Sequence, residues 1–348
     1  MPAPQRATFD AEELAVVLSH FDLGVIESVT EFARGSRRSP KIGIVADKGK
    51  FVLKRRSGRR AHADRVRFAH HVQARLQAVG FPMARIIPTR VRGDTFVQIK
   101  EDLYELFEFV PGHPYHQSAA ESQDAGLVLA KFHVATEHIN APRYLPVPQG
   151  DYHDAAGVRT GLCQIGAALS SSDSFAGTEA ELAGLSQFLL ESYDHAVAVV
   201  NGLGFNGWPP RVIHSDWHPG NLLFRNDKVI AVIDYDSVRL SRRVADTANG
   251  CLHFSILAGG DPATWPAELD EERYRAFRSG YESVLGLSDE ERRALPHLMA
   301  EALIAECVPP ISETGSVGRW SGYRVLQMVR RKLFWLAEHG DRLTRLDP

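Results

Sequence analysis

The spacing of apolar residues changes period at Pro111-Gly112, and a chain that does this must build two differently made lobes. Before that dipeptide the sequence alternates as strands do. "GVIESVTEF" is followed by "KIGIVADKGKFVLKRR", two alternating runs joined at Lys48-Gly49 as in a hairpin. Further on come "ARIIPTRV", a Gly93-Asp94 turn, "TFVQIK" and "LYELFEFV". One helix interrupts them, with Val66, Ala69, Val72 and Leu76 at helical spacing and a stop at Gly80. Five or six strands and one helix are therefore predicted before Pro111.

After the dipeptide the pattern is helical. "SAAESQDAGLVLAKFHVAT" and "TEAELAGLSQFLLESYDHAVAVV" are amphipathic, and further helices are predicted around 244–258, 265–285, 288–306 and 319–339. Segment 140–178, rich in Pro, Gly and Ser, reads as loop with a short helix. The prediction is an α+β chain with a β-rich lobe over 1–110 and a larger helical lobe over 111–348.

Cys163, Cys251 and Cys307 are far apart and odd in number, which excludes a disulfide framework and suits a reducing compartment. All three read as small buried apolar residues. The opening "MPAPQRATFDAEELAVVL" lacks a basic stretch leading into an apolar one, and no apolar run approaches the roughly 18–20 residues that span a bilayer. A cytoplasmic protein without a membrane partner is expected. The formal net charge of −3 hides an uneven distribution. Residues 34–100 hold 18 Lys/Arg against 3 Asp, whereas 261–306 hold 11 acidic residues against 5 Arg. Such a pair of faces suits a cleft that takes a polyanion on one side and a cationic group on the other. Exposed aromatics do not interleave with the basic stretch, so nucleic acid is not an expected partner.

The chemistry concentrates in "RVIHSDWHPGNLLFRNDKVIAVIDYDS", residues 211–237. Two apolar segments bring Asn221 and Asp234 to neighbouring strand ends, with Asp216 on the loop before them. An amide oxygen beside a carboxylate makes a hard, oxygen-only site of the kind Mg²⁺ takes together with phosphate oxygens. A second carboxylate nearby can hold a substrate hydroxyl and accept its proton. Phosphoryl transfer needs these parts and a lysine for the nucleotide phosphates. Lys54 closes the strand "GKFVLKRR" in phase with Val52, so both point to one face.

The set "FVLKR", "LFEFVPG", "LAKFH", "IHSDWHPGNLLF" and "VIDYDS…ADTA" resembles the aminoglycoside phosphotransferase superfamily, which includes homoserine, choline, methylthioribose and spore-coat-associated kinase-like proteins. The resemblance covers roughly residues 24–340 and implies a protein-kinase-like bilobal fold, ATP and Mg²⁺ as cofactors, and a small-molecule hydroxyl as acceptor. It implies Asp216 as the base, Asn221 and Asp234 as metal ligands, and Lys54 on the α/β-phosphates. Glu108, Phe109 and Val110 would be the hinge that holds the adenine edge. His214 would brace the loop by hydrogen bonds, and Asp246 would support it. Asp236, two past Asp234, would face the same way on an extended chain and either help bind a second metal or cap a turn.

Two features depart from the family pattern. The helix over 61–79 has no glutamate for Lys54, its nearest carboxylate being Asp64. The loop "ARGSRRSPK" has only Gly35, Ser36 and Ser39 to offer to phosphates. Trp217 and His218 either line an acceptor pocket or pack, and His133, His138 and His253 read as core or surface residues. A protein kinase and a non-catalytic, kinase-like nucleotide-binding scaffold are the alternatives. The acceptor stays open among amino sugars, aminoglycosides, amino alcohols, homoserine and neutral sugars, as does the oligomeric state.

Overall fold

The strands β1 (Ile26–Glu31), β2 (Lys41–Ala46) and β3 (Gly49–Arg56) run antiparallel in a meander whose second turn is Asp47-Lys48, one residue earlier than expected, with Gly49 opening β3 at φ 134°. After the helix α2 (Ala63–Ala78), β4 (Val97–Ile99) and β5 (Asp102–Glu108) complete an antiparallel sheet in the order β1-β2-β3-β5-β4. The computed structural model describes residues 8–32, 39–58, 61–139, 141–170 and 178–346.

The alternation of the strands sorts their side chains between two faces. Ile42, Ile44, Phe51, Leu53 and Leu106 form a core on one face with Val17, Phe21 and Leu23. Val17 belongs to a short helix, α1 (Ala11–Leu18), which the periodicity did not reveal; Asp10 and Glu13 close it with a capping box. Glu13 also binds Arg55 and the Tyr104 hydroxyl, fastening α1 to the sheet. The other face carries Val52, Lys54, Arg56, Glu105 and Phe107 toward a cleft. Register pairs Lys41 with Lys54 and Lys54 with Glu105, so three charged residues stand in a row across three strands.

"ARIIPTRV" is not a strand. Pro88 has no amide to donate, and the segment meets β5 through a single bridge, Ile86 to Phe107, flanked by Ile87 N–H to Leu106 O at 2.8 Å.

Glu105 ties β3, β5 and α2 together. It is fully buried and accepts from Arg56 Nε, from Arg56 Nη2 at 3.0 Å and from His70 Nε2 at 2.7 Å. Burial alone would raise its pKa, but Arg56, His70 and Lys54 outweigh it and hold the carboxyl well below the ordinary 4.5. A depressed carboxyl stabilises the fold above its unfolded pKa and loses that contribution as pH falls through the folded value. The thermal midpoint should therefore be level through neutrality and fall in the acid range below 4.5. Glu105→Gln should lower the neutral plateau and flatten that acid limb. An unchanged limb in the variant would show that other groups set it.

The rest of the chain is mainly helical. The predicted helices appear as α3 (Ala119–Thr136), α5 (Glu179–Gly202), α6 (Arg243–Ser255), α7 (Glu271–Glu282), α8 (Asp289–Thr314) and α9 (Gly322–Arg345), with α4 (Ala156–Ser170) between α3 and α5. Residues 156–170, expected to be mostly loop, form that 15-residue helix, which buries Val158, Leu162, Ile165 and Leu169 at helical spacing. Helices α3 and α7 touch backbone to backbone. A Cβ on Gly126 would lie 1.9 Å from the Phe277 carbonyl oxygen, and one on Gly280 would lie 1.8 Å from that of Gln123. No helix among the described residues is long and apolar enough to cross a membrane. Cys251 is buried as expected, but Cys163 is exposed and Cys307 half-buried.

Candidate active site

Strand β6 (Arg211–Ile213) leads into loop 214–220, and the hairpin of β7 (Leu222–Arg225) and β8 (Lys228–Val232) follows. Leu222 pairs with Val232, and Ile233 N–H donates to Asn221 O at 2.9 Å, so Asn221 and Asp234 flank the open end of the hairpin. The loop is pinned from below by α6. Asp246 accepts from the amide of His214 at 2.6 Å and from that of Ser215 at 2.7 Å, while His133 Nε2 lies 3.3 Å from it. Burial holds His133 and His214 below the usual imidazole range, so both are neutral near pH 7. The His214 ring packs against Trp217 and Tyr235, and neither nitrogen has a hydrogen-bond partner among the described residues. What His214 contributes to bracing runs through its main chain, not its ring. Trp217 is fully buried and packs against Phe132 and His214.

The Asp216 carboxylate is partly exposed. Asn221 Nδ2 donates to Asp216 Oδ2 at 2.8 Å and to the Asp216 main-chain oxygen at 2.9 Å, leaving Asn221 Oδ1 as the free amide oxygen. Burial pushes the Asp216 carboxyl up, but His218, His214 and Asn221 bring it below its ordinary value. His218 Nε2 lies 3.5 Å from Asp216 Oδ1, its ring is 5.8 Å from that of His253, and His253 Nε2 lies 2.8 Å from Glu306 Oε1. Sequence reading assigned His253 to core or surface; its place in this row depends on the packing of α6 against α8, which no local pattern encodes.

At the other end of the cleft, Lys54 is almost wholly buried, with Nζ 2.9 Å from Asp234 Oδ1 and bonded also to Asp236 Oδ1. Burial would lower the Lys54 pKa, and the two carboxylates raise it above the usual value instead. Lys41 Nζ reaches Asp234 Oδ2 at 3.1 Å, and Arg56 Nη2 reaches Asp236 at 2.7 Å. Asp234 is held well below the usual carboxylate range by Lys54 and Lys41 against burial, whereas burial and Asp234 push Asp236 up. The two aspartates do not lie on an extended chain. Asp234 is left-handed at φ 65° and residues 235–237 form a 3₁₀ turn, and this turn brings both carboxylates to Lys54. Aspartate tolerates that backbone better than most residues. The partner of Lys54 thus comes from the hairpin end, while the helix α2 supplies His70 to Glu105.

Between sheet and hairpin lies a cavity of about 290 Å³, with Val52, Ala84 and Phe107 on one wall and Leu223 and Ile233 on the other. Lys54, Asp234 and Asp236 close its inner end; Glu108 and Val110 stand at its rim. The amides of Glu108 and Phe109 already donate to Arg85 O and Lys50 O, whereas that of Val110 has no backbone acceptor among the described residues. Ser36, with Gly35, lies outside the described residues. The acidic helices prove internally paired: Glu291 binds Arg243, Glu282 binds Arg278 and Arg292, and Glu271 binds Arg342. Glu306, from the same segment, instead joins the row of His253 and His218 beside Asp216.

Residues 29–297 match the family model described as the phosphotransferase enzyme family. A homoserine kinase of Caulobacter sp. (strain K31) is 27% identical over 315 residues, covering 88% of this chain and 87% of that protein. A microcompartment-associated aminopropanol kinase superposes with a TM-score of 0.72 at 15% identity, over 96% of this chain and 99% of the other. An amicoumacin kinase, solved in complex with AMP-PNP, Ca²⁺ and Ami, superposes at 0.70 with 14% identity, over 95% and 94%. These likenesses establish a kinase-like fold.

Proposed function

This chain belongs to the phosphotransferase enzyme family and is a kinase with an alcohol as acceptor, and from that premise we propose that it moves the γ-phosphate of ATP, with Mg²⁺, to the hydroxyl of a small amino alcohol, homoserine foremost. The observation that carries the reading is the pair of poles joined at the hairpin end: Asp216 bound to Asn221, whose main chain accepts from Ile233, and next to Ile233 Asp234, which with Asp236 binds Lys54.

Residues 1–110 are read as the nucleotide-binding lobe and 111–348 as the lobe that binds acceptor. The apolar walls suit a flat adenine, with the Val110 amide and the main chain at Glu108 at its edge. Asn221 Oδ1 and the Asp234 carboxylate are hard oxygen donors of the kind Mg²⁺ prefers. The metal would neutralise charge on the phosphates during transfer. Lys54 shares that task from the sheet, and Ser36 belongs to the loop read as covering the phosphates. Asp216 orients the acceptor hydroxyl and takes its proton, held ready as a carboxylate by His218 and Asn221. Asp246 and His214 keep the loop in place, and Asp236 orients Lys54.

Homoserine is favoured over other acceptors by the curated relatives and by Arg239. This residue is half-buried, has Arg65, Asp151, Asp246 and Asp216 as charged neighbours, and makes no ion pair among the described residues. Burial and Arg65 hold its pKa below the ordinary value. A guanidinium so placed suits an acceptor that carries a carboxylate. The absence of paired cysteines fits work in the cytoplasm, where ATP is supplied.

The test is ADP release by the purified chain with ATP and Mg²⁺ across homoserine, aminopropanol, aminoglycosides and simple sugars. Homoserine is expected to give the largest kcat/KM. A larger value for an acceptor without a carboxylate would overturn the homoserine assignment and leave the transfer chemistry standing.

A further inference from the structure

Outside the cleft's polar ends, the segment joining β5 to α3 brings three metal-binding groups to one point. His113, His116 and Glu121 present ligand atoms all within 4.8 Å of one another. Glu121 Oε1 lies 3.7 Å from His113 Nδ1 and 3.6 Å from His116 Nδ1. The two imidazoles are stacked, with centroids 4.1 Å apart and planes 4° from parallel.

Glu121 makes the cluster more than a coincidence of neighbours. It is fully buried, and its Oε2 is fixed by the main-chain amide of His116 at 2.6 Å. Its Oε1, turned toward the two rings, has no hydrogen-bond partner among the described residues. A buried carboxylate oxygen left in that state is costly, and a cation bound there would offset the cost.

We propose that His113, His116 and Glu121 form a binding site for Zn²⁺ or a neighbouring late first-row divalent metal. Two imidazoles and one carboxylate are a ligand set for those ions and not for Mg²⁺ or Ca²⁺, which take oxygen. Bonds of about 2.0–2.2 Å in a tetrahedron set ligand atoms about 3.3–3.5 Å apart; the two His–Glu separations are already near this, and metal binding requires the rings to turn out of their parallel stack so that each plane meets the ion. His113 Nδ1 donates its proton to Pro114 O at 2.9 Å in the free protein; on metal binding that proton moves by way of solvent to Nε2, so that Nδ1 of a neutral imidazole becomes the ligand. The His116 side chain is 62% exposed, which gives the ion a way in and leaves a fourth position for water. The site has a structural consequence. His113 exchanges both main-chain hydrogen bonds with Phe224 of β7, and Glu121 lies in the first turn of α3. A bound ion would clip the cavity rim to hairpin and helix at once.

The site is tested with the full chain, stripped by chelator and titrated with ZnCl₂ against a colorimetric zinc indicator in excess Mg²⁺. The wild type should take up one Zn²⁺ per chain, with a rise in Tm. His116→Ala should weaken binding at least tenfold and abolish the rise, and Asp234→Asn should change neither. If His116→Ala fails to fold, His116→Gln serves in its place. No zinc uptake by the wild type, equal affinity in the His116 variant, or loss of binding in Asp234→Asn would each overturn the proposal.

Discussion

Asp216→Asn is expected to lower the rate of ADP release, at saturating ATP and acceptor, by about 10²–10⁴-fold, the contribution of a positioned general base. Asparagine has nearly the same shape and keeps an oxygen for the Asn221 amide, which lies 2.8 Å from the carboxylate. The loop should therefore survive, since it is pinned through Asp246 to the amides of His214 and Ser215 and not through Asp216. What disappears is an acceptor for the hydroxyl proton and the negative charge near His218. Nucleotide affinity should stay within a few-fold, because Lys54 and Asp234 stand at the other pole. Initial rates from a coupled ADP assay, with ATP affinity measured by calorimetry, separate the two effects. A variant retaining more than a tenth of the activity would remove Asp216 from proton transfer.

Lys54→Met should leave a folded protein that has lost about 10²–10³-fold in kcat, the usual effect of deleting one electrostatic contact to a transition state. Its fold should persist for a reason visible in the ion pairs. Removing one partner of a buried pair costs about 3–5 kcal/mol when the other charge is left alone. Here Asp234 keeps Lys41 at 3.1 Å and Asp236 keeps Arg56 at 2.7 Å. Both carboxylates are also more than a fifth exposed. The loss of stability should thus be about 1 kcal/mol, or about 1–2 °C in Tm. Full activity in the variant would discard the phosphate role, and a fall in Tm beyond 10 °C would make Lys54 a structural residue.

Much of this architecture was legible because its signals are local. The hairpin around Lys48, the helix over residues 63–78 and the polar cluster at 214–234 all declare themselves within a few residues. Other parts depend on register or packing. Lys41 and Glu105 flank Lys54 only because β2 and β5 pair with β3 in one register, and neither residue looks unusual in its own segment. Lys54 has no acidic partner on α2 because that helix turns His70 to Glu105, and Asp234 and Asp236 at the hairpin end pair with the lysine. α1 went unread in a Pro-containing opening, although Asp10 and Glu13 cap it. α4 was underestimated because Gly and Ser obscure four buried residues at helical spacing. "ARIIPTRV" has strand composition, but its proline denies it a ladder. A count of charges over the acidic segment does not reveal that Glu282 and Glu291 already have arginines while Glu301 and Glu306 meet histidines.

The crowd of cations around Asp234 and Asp236 has one more consequence. Lys41, Lys54 and Arg56 already balance both carboxylates before any ligand enters. A divalent ion arriving alone would have to displace the ammonium groups of Lys41 and Lys54 from carboxylates they already pair with. A nucleotide arriving alone would compete with carboxylates for the same lysines. Only a nucleotide that brings its own metal lets every charge change partners in one exchange, with lysines passing to phosphates and aspartates to the ion. On the proposed function the cleft would behave as a latch that two keys must turn together, and by linkage each key would be held more tightly with the other in place.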